Sequence, residues 1–151
     1  GIAHTDAKMG PLSMNAGVFH FDESQADNTI ALNIRYPQGT DPETIKSTLE
    51  KIEGVATVSL SAHGHTPHYV PMDDELVSTL LRVYEKQTGL KGHEQVIGGG
   101  TFGRLLKRGV AFGAMFPDYV NTMHQANEFA DVEDLYRAAV IYAEAIYELI
   151  K

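Results

Sequence analysis

The hydrophobic pattern of the first seventy residues predicts a small sheet with one helix. Residues 11–21 and 28–37 are strand-like, and the polar segment 22–27 separates them. Alternation along the second strand gives it two distinct faces. One face carries Ile30, Leu32, Ile34 and Tyr36, and the other carries Ala31, Asn33 and Arg35. We therefore expect one apolar face and one face with small or polar side chains.

The helix that follows has clear signals at its ends. Asp41 is a good N-cap residue, and Pro42 suits the first helical position. Apolar residues recur at helical spacing at Ile45, Leu49 and Ile52. Gly54 suits the C′ position, and residues 55–63 return as a strand. The order β-β-α-β predicts an open-faced α+β layer.

A linker at residues 64–74 interrupts both periodicities with two prolines. An amphipathic helix then begins at Asp73 or Asp74 and ends at Gly89. Its apolar positions are Leu76, Leu80, Val83 and Tyr84. Because the pattern changes here, we expect a domain boundary near residue 70.

The second half has the alternating elements of an α/β fold. A short strand at 94–97 enters a run of glycines, a short helix occupies 101–108, and 110–116 is an almost wholly apolar strand. After a loop at 117–130, Asp131 caps a final helix. The apolar stripe of this helix comprises Leu135, Ala139, Tyr142, Ile146 and Leu149.

Composition narrows the classes of partner. With a net charge of −8, the chain should repel phosphate backbones, which argues against nucleic acid. No apolar run approaches the roughly 18 residues of a membrane span. The chain has no cysteine, hence no disulfide and no thiolate metal ligand, which fits the cytoplasm. Residues 1–10 lack an initiator Met and the features of a signal peptide, so we expect a processed product or a piece of a longer chain.

Three glycines, Gly98, Gly100 and Gly103, form the pattern G-x-G-x-x-G between the predicted strand and helix, and Asp118 follows them. One interpretation is a dinucleotide site, but too few residues follow for the rest of such a domain. A P-loop is excluded because the motif does not end in Gly-Lys-Ser or Gly-Lys-Thr. A second interpretation is a tight turn without a ligand. A third, which we favour, is a set of backbone N–H groups that hold a carboxylate or a substrate.

Two further residues are candidates for binding chemistry. His124 lies in a polar cluster after an apolar strand, at the edge where open α/β sheets place ligands. It is either a metal ligand or a hydrogen-bonded loop residue. Arg35 has a planar guanidinium that suits bidentate carboxylate binding, or it lies on a solvated strand face. His63 and His65 share a strand face, but exposed linker histidines are the favoured interpretation of this pair.

The chain resembles a known family in three stretches, which are MNAGVFHF…LNIRYP, GGGTFGR and MHQANE. They occur in this order and at these separations in the zinc-dependent exopeptidases of the carnosinase, aminoacylase and succinyl-diaminopimelate desuccinylase clan. Within that clan the chain resembles the C-terminal third of the PepV-like (Xaa-His) dipeptidases. The resemblance implies a two-domain enzyme with two zinc ions. Residues 1–72 resemble the second half of a lid domain, and residues 73–151 resemble the C-terminal segment of the catalytic α/β domain.

The same resemblance implies roles for individual residues. His124 resembles the C-terminal zinc ligand, and Arg35 resembles the lid arginine that grips the C-terminal carboxylate of the substrate. Gly99, Gly100 and Thr101 resemble the wall that faces the same end of the substrate, and Asn15 resembles a further lid contact. The implied reaction is metal-assisted hydrolysis of an Xaa-His dipeptide.

The family's remaining metal ligands, its general base and a lid histidine lie upstream and have no counterpart here. We therefore expect this chain to be inactive alone, and its partners to be a dipeptide and the rest of the dipeptidase chain. Two alternatives stay open, a nucleotide-binding module that uses Gly98–Gly103 and a non-enzymatic oligomerisation module. Unpaired strand edges in a half lid would also permit homo-oligomers.

Overall fold

A computed structural model describes residues 2–24, 28–113 and 115–151 of the chain. It contains small antiparallel sheets, three α-helices and one short 3₁₀-helix. The expectation of a mixed α and β fold is therefore confirmed. Residues 25–27 of the predicted connection and residue 114 of the predicted strand 110–116 lie outside the described residues.

The chain divides into two compact units. We call Gly1–His68 together with Val96–Gly98 the N-terminal unit. We call Tyr69–Gln95 together with Gly99–Lys151 the C-terminal unit. The strands and the first helix belong to the N-terminal unit, and the two longer helices belong to the C-terminal unit.

Two antiparallel pairs make up the sheets of the N-terminal unit. Strands β1 (Thr5–Asp6) and β2 (Gly10–Pro11) form a minimal pair that the sequence pattern did not predict. Strands β3 (Ser13–His20) and β4 (Thr29–Arg35) form a hairpin, which confirms the two predicted strands with shorter ends. At the closed end of the hairpin, the Asp22 N–H donates to Asn28 Oδ1 at 2.7 Å.

A β-bulge at Gly17 sets the faces of the hairpin. Ala16 is opposite Leu32, but Val18 is opposite Ala31, so Gly17 has no partner residue. The extra residue changes the parity of β3, and Phe19 consequently lies opposite Ile30. The bulge therefore collects Met14, Ala16 and Phe19 on the face that carries Ile30, Leu32 and Ile34. Most of this apolar face is exposed within the described residues.

Helix α1 (Pro42–Leu49) begins as its sequence predicts. The Asp41 side chain accepts a hydrogen bond from the Thr44 N–H at 2.9 Å, and Pro42 occupies the first turn. Ile45 and Leu49 are buried, but Ile52 is exposed because the helix ends before it. Gly54 has the predicted left-handed backbone (φ 87°), although it closes a later turn and is not at C′ of the helix.

The strand predicted at residues 55–63 is wrong for this structure, which shows no regular element there. A strand needs a neighbouring backbone to pair with. In the described part of the chain β3 and β4 pair only with each other, and Val55 and Leu60 remain exposed. The N-terminal unit therefore has the order β-β-α after its minimal strand pair, without the last strand of the predicted layer.

The C-terminal unit is built on two packed helices. Helix α2 (Glu75–Thr88) is capped by Asp74 and ends at Gly89, whose φ is 70°, as predicted. Helix α3 (Val132–Ile150) is capped by Asp131, also as predicted. The core between them consists of Leu80, Val83, Phe116, Ile141 and Ala145, with Leu76, Tyr84, Val110 and Phe112 packed against it. Val83, at 1% exposure, is the most buried of these residues.

The stripe predicted for α3 is wrong at four of its five positions, and the fifth, Tyr142, is half-buried with its ring against Phe112. The buried positions are Ala138, Ile141 and Ala145, whereas Leu135, Ala139, Ile146 and Leu149 are exposed. The buried side of α3 carries two alanines and one isoleucine, and the bulkier apolar side is left uncovered by the described residues. The most hydrophobic stripe was therefore not the one that packs against α2.

Three predicted elements around the glycines are also wrong. Residues 94–97 and the described part of 110–116 are irregular, and the helix predicted at 101–108 is a 3₁₀-helix at Phe102–Leu105. Phe116 of the apolar run is buried in the core of α2 and α3, and Val110 and Phe112 pack against that core, so helices cover these side chains in place of neighbouring strands. The 3₁₀-helix stops because the chain turns back, and a Cβ on Gly103 would lie only 3.0 Å from the Val110 carbonyl carbon.

Candidate functional site

The polar face of the hairpin carries two of the predicted site residues. Ser13 pairs with Arg35, and Asn15 pairs with Asn33. Directly paired residues share a face, and diagonal neighbours are roughly 7–8 Å apart at their Cα atoms. Asn15, Asn33 and Arg35 line one open groove on this face. The structure therefore brings Asn15 and Arg35 together, as neighbours on adjacent strands.

The Arg35 guanidinium has donors available for a ligand. Within the described parts of the N-terminal unit, no carboxylate pairs with it and no acceptor receives its hydrogen bonds. It lies next to Gly98, where an added Cβ would be 3.3 Å from Arg35 Nη1 and 3.8 Å from its Cδ. An exposed guanidinium without an acid partner is suited to a bidentate carboxylate.

The other predicted binding residues lie in the C-terminal unit, directly after Gly98. Gly99 is in open space, since an added Cβ would meet no atom within 4 Å. Thr101 is half-buried and precedes the 3₁₀-helix, with no capping bond from its side chain. The N–H groups of Gly99, Gly100 and Thr101 have no hydrogen-bond acceptor among residues 2–24, 28–113 and 115–151. These unpaired donors are what an anion-binding segment requires.

Arg104 is a nearby residue that sequence reasoning missed. A Cβ on Gly100 would overlap its guanidinium, so the side chain lies directly against this glycine. The signal that could have identified it is a basic residue four positions after Gly100.

Arg108 holds the end of the glycine segment against α2. Its Nε donates to both carboxylate oxygens of Asp74, at 2.9 Å and 2.8 Å. This bond, followed by the cap bond from the Leu76 N–H, lowers the pKa of the Asp74 carboxyl. The same bond raises the pKa of Arg108. Asp74 thus both caps α2 and anchors the chain that follows the glycines.

The loop that carries His124 has an unusual backbone. His124 and Asn127 have positive φ angles of 63° and 61°. Asparagine and histidine adopt this region more often than most residues do, but positive φ is uncommon outside glycine, and such residues cluster at functional sites. Two bonds to Thr122 hold the loop: Gln125 N–H donates to its carbonyl oxygen at 3.1 Å, and Phe129 N–H donates to Oγ1 at 3.2 Å. The His124 side chain is exposed, as a ligand for an external group must be.

Arg137 of α3 fixes the start of the same loop. Its guanidinium carbon lies 3.8 Å from the ring centroid of Phe116, which is 5% exposed. It also pairs with Asp134 at 2.7 Å and with Asp118 at 3.9 Å. These contacts attach the His124 loop to the helix core, and they use the Asp118 carboxylate that the dinucleotide interpretation assigns to a ribose.

The described residues provide too few metal ligands close together for a zinc site. The described residues include no group of three or more His, Cys, Asp or Glu side chains placed to hold a metal. His63 and His65 are exposed, in agreement with the interpretation as linker histidines. A zinc site needs three or four protein ligands, and His124 is one imidazole. The described residues therefore do not by themselves fit a zinc centre.

The structure lacks the strand and the helix that a nucleotide site at these glycines needs. It requires a strand before the glycines and a helix after them. Residues 94–97 are irregular, and the only helical segment at 101–108 is four residues of 3₁₀-helix.

Comparison with known proteins decides the family. Residues 5–148 match the family described as peptidase family M20/M25/M40. The chain belongs to this family. The match covers both units and includes the predicted site residues, from Asn15 to His124.

Individual relatives of this M20 peptidase chain carry dipeptidase names. The "Beta-Ala-Xaa dipeptidase" of Lactobacillus delbrueckii subsp. lactis is 51% identical over 152 residues, which is all of this chain and 32% of the relative. The "Putative dipeptidase YtjP" of Bacillus subtilis (strain 168) is 40% identical over 146 residues, 97% of this chain and 31% of the relative. The chain thus spans about a third of the length of these curated relatives.

Proposed function

We propose that this M20 chain forms part of a dipeptidase and supplies the groups that bind the C-terminal carboxylate of a dipeptide. The observation that carries the proposal is the Arg35 guanidinium, which lies on the polar hairpin face beside Asn15 and has no acid partner among the described residues. Family membership and the names of the relatives support the reaction class. Arg35 binds the carboxylate, and Asn15 and the segment Gly99–Thr101 orient the same end of the substrate.

In this proposal the two parts of the chain have different roles. Residues 1–72 form the second half of a lid, and residues 73–151 form the C-terminal segment of the catalytic domain. The exposed apolar surfaces support this assignment. Met14, Phe19 and Ile30 on the hairpin, and Leu135 and Ile146 on α3, are at least half exposed or close to it. Large apolar surfaces of this kind are typical of an interface with further chain.

His124 contributes one imidazole to a metal centre that other parts of the enzyme complete. Members of this family are generally zinc-dependent. Bound zinc would supply activation of a water molecule for attack on the peptide bond. The positive φ of His124 and the anchoring of its loop by Arg137 support its assignment as a ligand. Because the other ligands and the general base are not among these residues, the chain alone is inactive.

For the substrate we propose a dipeptide of the Xaa-His type with a free C-terminal carboxylate. The name of the Lactobacillus relative gives β-alanine as the first residue of its substrates. The dipeptide β-Ala-His satisfies both descriptions and is therefore the first substrate to test. A cytoplasmic location and the lack of nucleic-acid partners stay predictions. Among the described residues, no helix is long and apolar enough to cross a bilayer.

A second candidate role is association of chains through the hairpin. The apolar face that the bulge at Gly17 creates is exposed, and β3 and β4 each keep one unpaired edge among the described residues. Such edges pair readily with other chains. Gel filtration of the 151-residue chain at increasing concentrations tests this role, which predicts a dimer or larger species.

The dipeptidase proposal is tested by turnover. The full-length gene product is incubated with β-Ala-His in the presence of Zn²⁺, Mn²⁺ or Co²⁺, in parallel with the 151-residue chain. We expect hydrolysis by the full-length protein and none by the chain. An inactive full-length protein would overturn the proposed reaction. Turnover by the pure 151-residue chain would overturn the proposal that this chain lacks part of the catalytic site.

A further inference from the structure

Arg104 differs from the other arginines of the C-terminal unit in its partners. Arg82 pairs with Glu148 at 3.1 Å, Arg108 with Asp74 at 2.8 Å, and Arg137 with Asp134 at 2.7 Å. No carboxylate within the described residues pairs with Arg104. The charges of these three arginines are therefore paired within the fold, whereas no carboxylate of the described residues pairs with the charge of Arg104.

Arg104 is instead held against Gly100. A Cβ at this position would overlap the guanidinium and would lie 3.1 Å from its Nε. Among the twenty residues only glycine leaves this space open, because every other residue carries a Cβ. Gly100 thus has a structural role that a tight turn alone does not explain, since it gives the arginine access to the backbone of the glycine segment.

The surroundings of Arg104 contain several donors without acceptors. The N–H groups of Gly99, Gly100 and Thr101 donate to no acceptor in the described part of the chain. A guanidinium adds further donors and a full positive charge, and it has no acceptor atom of its own. A group of donors next to a positive charge is the complement of an anion, above all of a carboxylate with its two acceptor oxygens.

We propose that Arg104 binds the C-terminal carboxylate of the dipeptide together with the N–H groups of Gly99–Thr101. This inference rests on the proposed dipeptidase function and extends it to the last residue of the GGGTFGR stretch, to which the family resemblance assigned no role. A carboxylate can accept up to about four hydrogen bonds, so the Arg104 guanidinium and backbone N–H groups can bind it at the same time. Arg104 thereby helps to select substrates that end in a free carboxylate.

The selection can be measured with two substrates that differ only in that group. In the full-length enzyme, Arg104→Gln should raise KM for β-Ala-His by about tenfold or more, the range expected for a lost charge-assisted hydrogen bond. The same variant should change kcat/KM for the C-terminal amide of β-Ala-His by less than about twofold, because the amide carries no charge. Arg104→Lys keeps the charge but not the planar fork, and it should recover part of the loss.

Lys107→Gln is the matched control. Lys107 is exposed, lies three residues further along and loses the same charge, whereas the three atoms nearest a Cβ on Gly100 all belong to Arg104. We expect its KM for both substrates to equal that of the wild type. Equal losses in the Arg104 and Lys107 variants would overturn the inference in favour of a general charge effect. Equal losses of Arg104→Gln on the dipeptide and on the amide would overturn it as well.

The two proposals can fail separately in this experiment. If the wild-type enzyme hydrolyses no dipeptide, the dipeptidase function and this inference fall together. If the wild type is active and Arg104→Gln keeps its KM for β-Ala-His, only this inference is overturned. Thermal unfolding of both variants should match the wild type, since Arg104 and Lys107 are both exposed.

Discussion

Arg35 lies against Gly98, with its Nη1 only 3.3 Å from the place that a side chain at residue 98 would occupy. The two residues are 63 positions apart in sequence, and both belong to the N-terminal unit. The close approach connects the end of β4 with the start of the glycine segment, and it gives the first glycine of G-x-G-x-x-G a role other than nucleotide binding. A side chain at residue 98 would crowd the guanidinium.

The contribution of Arg35 can be measured by removing its charge in the full-length protein. Arg35→Gln should raise KM for β-Ala-His by about tenfold to a hundredfold, because a hydrogen bond to a charged group contributes roughly 1.5–3 kcal/mol. Lys51→Gln is the control, since Lys51 is an exposed cation of the same unit outside the groove. Unchanged kinetics in Arg35→Gln would contradict this role and would favour the alternative, in which Arg35 only lies on a solvated strand face.

Substitution of Gly98 tests the same contact from the other side. Gly98→Ala places a Cβ 3.3 Å from Arg35 Nη1, closer than an ordinary van der Waals contact, so the guanidinium must shift. We expect KM to rise by about two- to tenfold, because a displacement of 1 Å can cost roughly a hundredfold in rate. In Gly64→Ala the new Cβ meets its nearest neighbour, the Ser61 carbonyl oxygen, at 3.8 Å. Equal KM values in Gly98→Ala and Gly64→Ala would contradict a functional role for the contact between Gly98 and Arg35.

The packing of α3 is tested by two isoleucines on the same helix. Ile141 is 2% exposed and Ile146 is 59% exposed. Ile141→Ala should reduce the free energy of unfolding of the 151-residue chain by about 2–5 kcal/mol, whereas a surface substitution such as Ile146→Ala should change it by less than about 0.5 kcal/mol. Urea denaturation followed by circular dichroism provides both values. A larger loss in Ile146→Ala would favour the stripe expected from the sequence.

Acid stability should depend on Asp74. Its pKa is lowered in the folded state by the Arg108 bond and by the cap bond of α2, so the unfolded state binds its proton more tightly. The stabilisation is therefore complete above the ordinary carboxyl value of 3.8 and is lost as the pH falls through the lowered pKa. Asp74→Asn should flatten this acid limb of the stability curve, measured by urea midpoints from pH 2 to pH 6.

Asp73→Asn is the matched control for the acid experiment. Asp73 precedes Asp74 but makes neither the Arg108 bond nor the cap bond to Leu76. The control should keep the acid limb of the wild type. A curve for Asp74→Asn that coincides with the wild type at every pH would contradict the anchoring role of this residue.

Signals between residues close in sequence predicted where the helices begin. The strands depend on contacts between residues that are far apart in sequence. The N-cap residues Asp41, Asp74 and Asp131 lie where the sequence places them, because a cap bond involves residues only two or three positions away. The strands predicted at 55–63 and 110–116 failed, because pairing depends on a partner that a residue pattern does not specify.

The candidate site shows the same division. Its candidate residues, among them Arg35 and His124, were proposed from residue type and from the family resemblance. The bulge at Gly17, the approach of Arg104 to Gly100 and the left-handed backbone of His124 are properties of the folded chain. They follow from backbone geometry, for which the sequence offers only the presence of glycines as a hint.

The central claim is that this chain contributes to a dipeptidase both the groups that bind the substrate's C-terminal carboxylate and one metal ligand. The metal content of a His124 variant tests this claim most directly. Zinc per protein is measured by mass spectrometry for the full-length wild type, for His124→Ala and for the control His65→Ala, whose imidazole is exposed in the linker. The account predicts close to two zinc ions in the wild type and the control, and a clear loss in His124→Ala with nearly abolished turnover. Two zinc ions retained in His124→Ala with near-normal turnover would contradict it.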